Sequence, residues 1–264
     1  MACSRFTAVV LAADRGADDP VARAAGVCCK SLTPIGDRAM VLHVVDALRA
    51  AREVRQIILC GPPRETIARD RELSTLVSSG EVRWIANRET PSTSTHHVLA
   101  TLSDDLPVLV TTSDHALLNS HMVDHFCTEA RRSGCDVVAG VAAHHEVQAA
   151  YPETKRTAIR LQDGAYCGCN LFAFLTGVGR RAASHWKTVE KKRKKPLHLV
   201  SSFGPLTLLR FALGKLTSQE ALSRVSRKFG LRAGIVLLPF PEAAIDVDTP
   251  SDWQLVQRIV AGRS

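Results

Sequence analysis

The sequence predicts an α/β fold in which a parallel β-sheet is covered by helices on both faces. A chain of 264 residues is long enough to bury a large core. Its 45% hydrophobic and 23% charged residues match the composition of folded globular proteins. Short apolar runs also alternate with helical patterns through the first half of the chain, and strand-helix alternation is typical of a parallel sheet with crossover helices.

The first predicted element is a buried strand over residues 7–12, because this short apolar run ends in a polar loop. Apolar residues then recur at helical spacing from Met40 to Ala51, and residues 56–61 predict the next strand. These three segments form a βαβ unit. Further strands are predicted over 82–85, 107–111 and 135–141, with a helix from Met122 to Gly134 before the last of them.

The second half of the chain is less regular. Asp163-Gly164 separates two strand-like runs, 156–161 and 165–172, and this pair predicts a hairpin that extends the sheet. Residues 180–229 look mostly helical, 234–238 predict another strand, and a last helix begins near Ser251. Because no linker or repeat interrupts the pattern, we expect a single domain over residues 1–264.

Charge and cysteine content limit the classes of protein. The 34 Lys and Arg exceed the 26 Asp and Glu, and the net charge of +8 favours an anionic partner without choosing between nucleotide, metabolite, nucleic acid and lipid surface. The eight cysteines contain no paired C-x-x-C units, so we expect reduced, mostly buried thiols and not a zinc ribbon or a disulfide scaffold. Since no apolar run approaches the length of a bilayer span, we expect a cytoplasmic protein.

Four polar segments follow predicted strands, at the edge where open α/β sheets bind ligands. The first is the loop Leu11-Ala12-Ala13-Asp14-Arg15-Gly16, with Lys30 beyond it. Backbone N–H groups of such a loop can bind phosphate oxygens, and Arg15 and Lys30 supply positive charge. No carboxylate close in sequence offers Lys30 an ion pair, which favours a contact with phosphate. A solvated loop with surface cations fits this segment equally well.

The second and third segments carry carboxylates. Asp114 follows an apolar strand and suits an oxygen-ligated Mg²⁺, although it would also suit a cap for the helix near Ser120. Asp246 and Asp248 share one face of an extended segment by alternation, and two such close charges need a cation or water. Helix capping by Thr249 or Ser251 is the competing interpretation of this motif.

The fourth segment combines Lys155 and Arg156 with Asn170 across the predicted hairpin. The two cations could bind a phosphate, and the Asn170 amide could bind a hydroxyl of a ligand. Ordinary surface residues of a hairpin would have the same composition, so the segment alone leaves both interpretations open.

Together these motifs resemble the MobA-like NTP-transferase family of nucleotidyltransferases, with sugar-phosphate and isoprenoid-precursor cytidylyltransferases as more distant relatives. The strongest likeness runs from residues 8–13 through Lys30 and 34–36 to the helix at Met40. The resemblance implies a three-layer αβα, Rossmann-like domain of the GT-A type with a mostly parallel mixed sheet. Residues 1–145 would bind the nucleotide and 146–264 the acceptor, with a helical insertion near 180–230.

The resemblance also implies roles for individual residues. Asp114 and Asp248, with Asp246 beside them, would hold Mg²⁺ or Mn²⁺, while Lys30 and Arg15 would bind the triphosphate. Ser94 would lie in a loop near the base, and CTP is favoured over GTP. The sequence departs from the family at Ala13-Asp14, where two glycines are usual, and Asp14 adds a negative charge beside the phosphates.

The predicted reaction is attack of a small phosphorylated alcohol or sugar on the α-phosphorus of an NTP, with release of pyrophosphate. No covalent intermediate is needed, so no cysteine or histidine is assigned as nucleophile. A glycosyltransferase that uses a nucleotide-sugar, and a nucleotide-binding regulatory relative without turnover, remain alternatives. The basic run Lys191–Lys195 lacks interleaved aromatic residues, which disfavours nucleic acid and leaves contact with an acidic membrane open.

Overall fold

The computed structural model describes residues 4–14, 18–183 and 204–262. Three predictions fall wholly or partly elsewhere. Arg15 and Gly16 of the first loop, the run Lys191–Lys195 and part of the predicted helical insertion lie outside the described residues.

Helices and strands alternate along the described chain. The strands are β1 (Phe6–Leu11), β2 (Pro34–Ile35), β3 (Arg38–Ala39), β4 (Val54–Cys60), β5 (Val82–Ile85), β6 (Val108–Thr112), β7 (Val137–Ala143), β8 (Ala158–Leu161), β9 (Gly164–Phe174) and β10 (Ala233–Leu237). The α-helices are α1 (Pro20–Ala24), α2 (Met40–Ala50), α3 (Arg64–Ile67), α4 (Arg71–Ser78), α5 (Pro91–Leu99), α6 (Ser120–Arg132), α7 (His144–Ala150), α8 (Gly177–Ala182), α9 (Pro205–Ala212), α10 (Ser218–Phe229) and α11 (Pro250–Ala261).

Eight strands form one mixed, mostly parallel sheet. Its order is β10-β7-β9-β6-β1-β4-β5, with β8 paired to β9, while β2 and β3 form a separate small hairpin. Strand β9 runs antiparallel to its neighbours β6, β7 and β8, and the other pairs of the large sheet are parallel. The predicted α/β class with a mostly parallel mixed sheet is therefore confirmed.

The central strand β1 is buried on both faces. Its residues Ala8 and Val10 pack into one apolar cluster with helices α2 and α6, whereas Val9 packs into a second cluster with α5. Alternate residues of a strand point to opposite faces, so the sheet forms the middle of three layers. This arrangement explains why the β1 segment is a continuous apolar run and not an alternating one.

The predicted hairpin forms, but its place in the sheet differs from the expectation. Leu161 pairs with Gly164 across the turn, as predicted. Strand β9, however, does not extend the sheet at its edge, because it inserts between β6 and β7. Its apolar residues Leu171, Ala173 and Phe174 are buried, and burial of this surface favours an internal position over an edge. As a result, strands from both halves of the chain interleave in one sheet.

The last helix, α11, is tied to the segment that follows Lys30. Trp253 Nε1 donates to the Pro34 carbonyl at 2.8 Å, and Gln257 Oε1 accepts from the Gly36 amide at 2.7 Å. Thr249 caps the helix by a reciprocal pair of hydrogen bonds with Asp252. These contacts hold the chain around Asp248 beside the chain around Lys30.

Two further sequence expectations concern cysteines and membranes. The seven cysteines of the described chain are free thiols, five of them are buried, and burial raises the pKa of Cys29 and of Cys60 to about 11. Within the described ranges, the helices are too short or too polar to cross a bilayer.

Candidate active site

The site begins where β1, β4 and β6 end together. Leu11 pairs with Cys60 on one side and with Thr112 on the other, so the three strands stop at the same level of the sheet. Backbone hydrogen bonds continue this alignment past the strands, from the Ser113 amide to the Leu11 carbonyl and from the Ala12 amide to the Cys60 carbonyl. The loop after β1 and the residue Asp114 therefore share one edge, as parallel strands require.

Asp14 fixes the backbone of Lys30. Both carboxylate oxygens of Asp14 accept from the Lys30 amide, at 3.0 and 3.1 Å, where the chain enters a short 3₁₀ turn over Lys30–Leu32. Burial raises the pKa of Asp14, while the hydrogen bond from Lys30 opposes that rise. The residue that departs from the family pattern thus has a partner within the protein.

The Lys30 ammonium joins two distant carboxylates. Lys30 Nζ donates to Asp114 Oδ2 at 2.7 Å and to Asp248 Oδ1 at 3.2 Å. The Lys30 and Asp114 side chains are only 14% and 16% exposed, whereas Asp248 is 58% exposed. Neither partner is close to Lys30 in sequence, because they lie 84 and 218 residues further along the chain, and nothing in the sequence indicated this ion pair.

Backbone contacts explain how Asp248 reaches Asp114. The Val247 amide donates to the Asp114 carbonyl at 3.0 Å, which places residues 246–248 alongside the end of β6. Ile245 and Val247 are fully buried, so the alternating Asp246 and Asp248 face the other way, where Asp246 contacts Arg156 and Asp248 contacts Lys30. This confirms the predicted shared face of the two aspartates.

The two capping alternatives have different outcomes. Asp114 does not cap helix α6, because Asn119 Oδ1 accepts from the Met122 amide at 3.0 Å and serves as the cap. Thr249 does cap helix α11. Capping by Thr249 and the placement of Asp248 beside Asp114 are compatible, because the cap uses the threonine and Asp252 and leaves the Asp248 side chain free of it.

Burial and charge act against each other in this cluster. Burial would raise the pKa of Asp114, but the Lys30 ammonium holds that pKa below its usual range. Burial likewise would lower the pKa of Lys30, but Asp114 and Asp248 raise it above its usual value. For Asp246, burial and the nearby Asp114 charge raise the pKa to about 6, although Arg156 opposes the shift.

Arg156 and Asn170, expected to contact an acceptor, contact Asp246. Arg156 Nη1 donates to Asp246 Oδ1, and Nη2 donates to the Asp246 carbonyl at 2.7 Å and to Asp252 Oδ1 at 2.9 Å. Nε donates to Thr154 Oγ1 at 3.0 Å, so one of the five guanidinium N–H groups is left for a ligand. Asn170 adopts a left-handed φ of 49° and donates from Nδ2 to Asp246 Oδ2 at 2.8 Å.

These contacts show that Arg156 positions the segment 246–252, a role that the sequence did not reveal. Asp252 accepts from Arg156 through one oxygen and from the Asp248 and Thr249 amides through the other. The Arg156 guanidinium therefore holds both ends of the segment that carries Asp248. The only sequence signal was the capping spacing from Thr249 to Asp252. Lys155, by contrast, is exposed, and its predicted contact with an acceptor stays a prediction.

Ser94 lies in a helix and not in the expected loop. Residues 91–94 form the first turn of α5. The helix begins here because Pro91 fits the first helical position and Thr90 caps the turn. Ser94 is buried, and its Oγ accepts from the Arg88 amide at 2.8 Å. Its predicted contact with the base stays a prediction.

The carboxylates fit a hard divalent cation. Asp114 Oδ1 is buried and has no hydrogen-bond partner, and Asp248, which contacts the same ammonium as Asp114, is open to solvent. Across the described chain, no three His, Cys, Asp or Glu side chains form a closed metal site. A cation held by Asp114 and Asp248 would therefore complete its ligand shell with substrate oxygens and water, as Mg²⁺ commonly does.

His115, next to Asp114, predicts a pH-dependent stability. Burial lowers the pKa of His115 to about 4, although the Asp114 charge opposes the shift. Between pH 6.5 and 4 the unfolded chain binds a proton that the folded protein does not, so stability falls as the pH falls. We expect protonation of this histidine in the unfolded chain to lower the free energy of unfolding by about 2 kcal/mol between pH 7.5 and pH 5.

The measurement is urea unfolding at both pH values for the parent protein, His115→Gln and the control His145→Gln, whose side chain is exposed. The pH dependence should shrink in His115→Gln alone. Parallel profiles for the parent and His115→Gln would contradict the prediction.

Comparison with known proteins relates the chain to nucleotidyltransferases. Residues 8–226 match the MobA-like NTP transferase domain. Comparison of the sequence with curated proteins gives no significant match. Among solved structures, a hypothetical transferase from Thermus thermophilus is 29% identical, with a TM-score of 0.78 over 94% of this chain and 99% of that chain.

Two more distant structures share the fold. The 4-diphosphocytidyl-2C-methyl-D-erythritol synthase from Anaerococcus prevotii is 14% identical, with a TM-score of 0.58 over 98% of this chain and 96% of that one. A CMP:2-keto-3-deoxy-manno-octonic acid synthetase complexed with CTP is 15% identical, with a TM-score of 0.57 over 98% and 100%. Since the matched domain covers well over half of the sequence, the chain belongs to the MobA-like NTP transferase family.

Proposed function

We propose that the protein is a magnesium-dependent nucleotidyltransferase that transfers a nucleoside monophosphate from an NTP to a small phosphorylated alcohol or sugar. The observation that carries this proposal is the convergence of Lys30, Asp114 and Asp248 at the carboxyl end of β6. One ammonium and two carboxylates at a strand edge can bind a triphosphate together with its cation. Family membership supports transferase chemistry of this kind.

In this mechanism the chain binds and aligns two anions. Lys30 contacts an oxygen of the triphosphate, together with Arg15 and the loop of residues 11–16, and Asp114 and Asp248 hold the cation. When bound, Mg²⁺ or Mn²⁺ offsets the charge that develops on the leaving pyrophosphate. An acceptor oxygen forms a bond to the α-phosphorus, and the bond to the bridging oxygen of pyrophosphate breaks. Positioning and electrostatics then account for catalysis without a protein nucleophile.

The nucleotide proposed is CTP. Two structures that share the fold carry names that include a cytidine product or bound CTP. Ser94 at the start of α5 is the residue proposed to lie near the base. The acceptor is proposed to bind near Lys155. Arg156 and Asn170 are proposed to support this part of the site through their contacts with Asp246.

The function is tested by measuring pyrophosphate release with each of the four NTPs and a panel of phosphorylated alcohols and sugars, with Mg²⁺ and with EDTA. We expect release with CTP and one acceptor class, and no release in EDTA. Nucleotide binding without release under any condition would instead support a regulatory relative. Turnover of a nucleotide-sugar would support a glycosyltransferase.

The acceptor side predicts a selective effect of Lys155→Ala. A charged contact with a phosphate contributes about 1.5–3 kcal/mol, so its loss should raise the KM for the acceptor roughly 10- to 100-fold and leave the KM for the NTP nearly unchanged. Arg156→Ala is less informative, because it also releases Asp246 and Asp252.

The matched control is Arg160→Ala, an exposed cation on the same hairpin, which should change neither KM. Equal increases of both KM values in Lys155→Ala, or no increase, would place the acceptor elsewhere.

A further inference from the structure

Lys30 occupies the position between Asp114 and Asp248 at which those two carboxylates would share a cation. We propose that Lys30 and a divalent cation exclude each other at this position, so that the protein binds the cation tightly only when a triphosphate draws the ammonium away. This inference rests on the proposed function for the identity of the nucleotide. It concerns the order and coupling of binding and not the reaction itself.

Distances and charge account for the exclusion. The ammonium nitrogen lies 2.7 Å from Asp114 Oδ2 and 3.2 Å from Asp248 Oδ1, and Mg²⁺ requires oxygens at about 2.0–2.1 Å. A cation bound through these oxygens, or through the unpartnered Oδ1 of the same Asp114 carboxylate, would lie close to the ammonium and would be repelled by it. The Lys30 side chain is mostly buried, so little water screens the two charges.

The structure restricts the movement to the side chain. Asp14 accepts the Lys30 amide through both carboxylate oxygens, and the 3₁₀ turn fixes the following residues. The lysine stem has four rotatable carbon-carbon bonds, so the ammonium can change partners without a backbone change. A triphosphate offers it anionic oxygens in exchange for the carboxylates.

Charge pairing is preserved in both states, which makes the exchange feasible. In the structure, Lys30 pairs with Asp114 and Asp248. With ligand, Lys30 pairs with phosphate while the carboxylates pair with the cation. Linkage then requires the nucleotide to raise the affinity for the cation by the same factor as the cation raises the affinity for the nucleotide.

The exchange predicts that removing Lys30 strengthens cation binding to the free protein, although it weakens catalysis. The experiment measures Mn²⁺ affinity of the full chain by electron paramagnetic resonance of the free ion, with and without α,β-methylene CTP. For the parent protein we expect the analogue to raise Mn²⁺ affinity at least 10-fold. For Lys30→Met we expect at least 10-fold tighter Mn²⁺ binding than the parent without nucleotide, and less than 3-fold further gain with it.

Two variants serve as controls. Lys215→Met removes an exposed lysine and should bind Mn²⁺ like the parent, and Lys30→Met with Asp114→Asn should lose the gain. Circular dichroism and thermal unfolding with added Mn²⁺ check folding, and Lys30→Gln replaces Lys30→Met if the latter does not fold. Mn²⁺ affinity of a folded Lys30 variant equal to or weaker than that of the parent, without nucleotide, would overturn the proposal.

The nucleotide-free comparison separates this inference from the proposed function. If Lys30→Met binds Mn²⁺ more tightly and the parent protein releases no pyrophosphate with any substrate, the exchange is supported and the transferase function is overturned. If the parent releases pyrophosphate but Lys30→Met binds Mn²⁺ no more tightly than the parent, the transferase function is supported and the exchange is overturned.

Discussion

Asp114→Asn is expected to lower kcat at least ~100-fold while leaving the fold intact, because it removes one of the two charges that would hold the cation. The substitution keeps the size of the side chain. It also keeps an oxygen that can accept a hydrogen bond from Lys30 Nζ, which in the parent protein lies 2.7 Å from Asp114 Oδ2. Asp248 also remains as a charged partner of the ammonium. The loss should therefore appear in turnover at saturating NTP and Mg²⁺, with near-normal circular dichroism.

A matched control for this prediction is Asp37→Asn, which removes an exposed carboxylate from the turn between β2 and β3. It should retain parental turnover. Full activity of Asp114→Asn, or turnover by the parent that continues in EDTA, would show that Asp114 does not hold a required cation.

Lys30→Ala is expected to have two large effects. It removes the proposed triphosphate contact, so kcat/KM for the NTP should fall at least ~100-fold. It also leaves the buried Asp114 without its ammonium, and breaking a buried ion pair in this way costs about 3 kcal/mol or more. The Asp248 pair adds little, because that carboxylate is mostly exposed.

The stability effect has a defined pH dependence. Lys30 lowers the pKa of Asp114 against the effect of burial, so the pair stabilises the protein when Asp114 is ionised in the unfolded chain, above about pH 4. The difference in unfolding free energy between the parent and Lys30→Ala should be full at pH 7 and should disappear as Asp114 becomes protonated in the acid range.

Urea unfolding of the parent, Lys30→Ala, Asp114→Asn and the double variant forms a cycle that isolates the energy of the pair. Additive effects of the two substitutions would contradict a direct interaction. A Lys30→Ala protein that binds NTP and turns over like the parent would contradict the triphosphate contact.

Asp14 illustrates how a departure from a family pattern acquires a structural explanation. In the sequence it is a negative charge at a position where glycine is usual and phosphates are expected. In the structure it accepts the Lys30 amide through both oxygens and so positions the residue that the site depends on.

The sequence by itself determined the elements and the edge of the sheet at which the site lies. Apolar periodicity and turn residues are local properties: periodicity predicted β1 and helix α2, and the Asp163-Gly164 turn predicted the hairpin. Alternation between the buried Ile245 and Val247 likewise placed Asp246 and Asp248 on one face. Parallel strands end at a common edge, so the position of Asp114 after β6 followed from chain order alone.

Only the tertiary structure decided which of these residues contact each other. Lys30 finds its carboxylates 84 and 218 residues away, and this pairing depends on the register of β1 with β6 and on the backbone bond from Val247 to Asp114. Strand order was likewise not evident from the sequence: β9 inserts between β6 and β7, where its residues Leu171, Ala173 and Phe174 are buried. Local patterns do not encode such choices, because register and strand order are settled by the packing of the whole core.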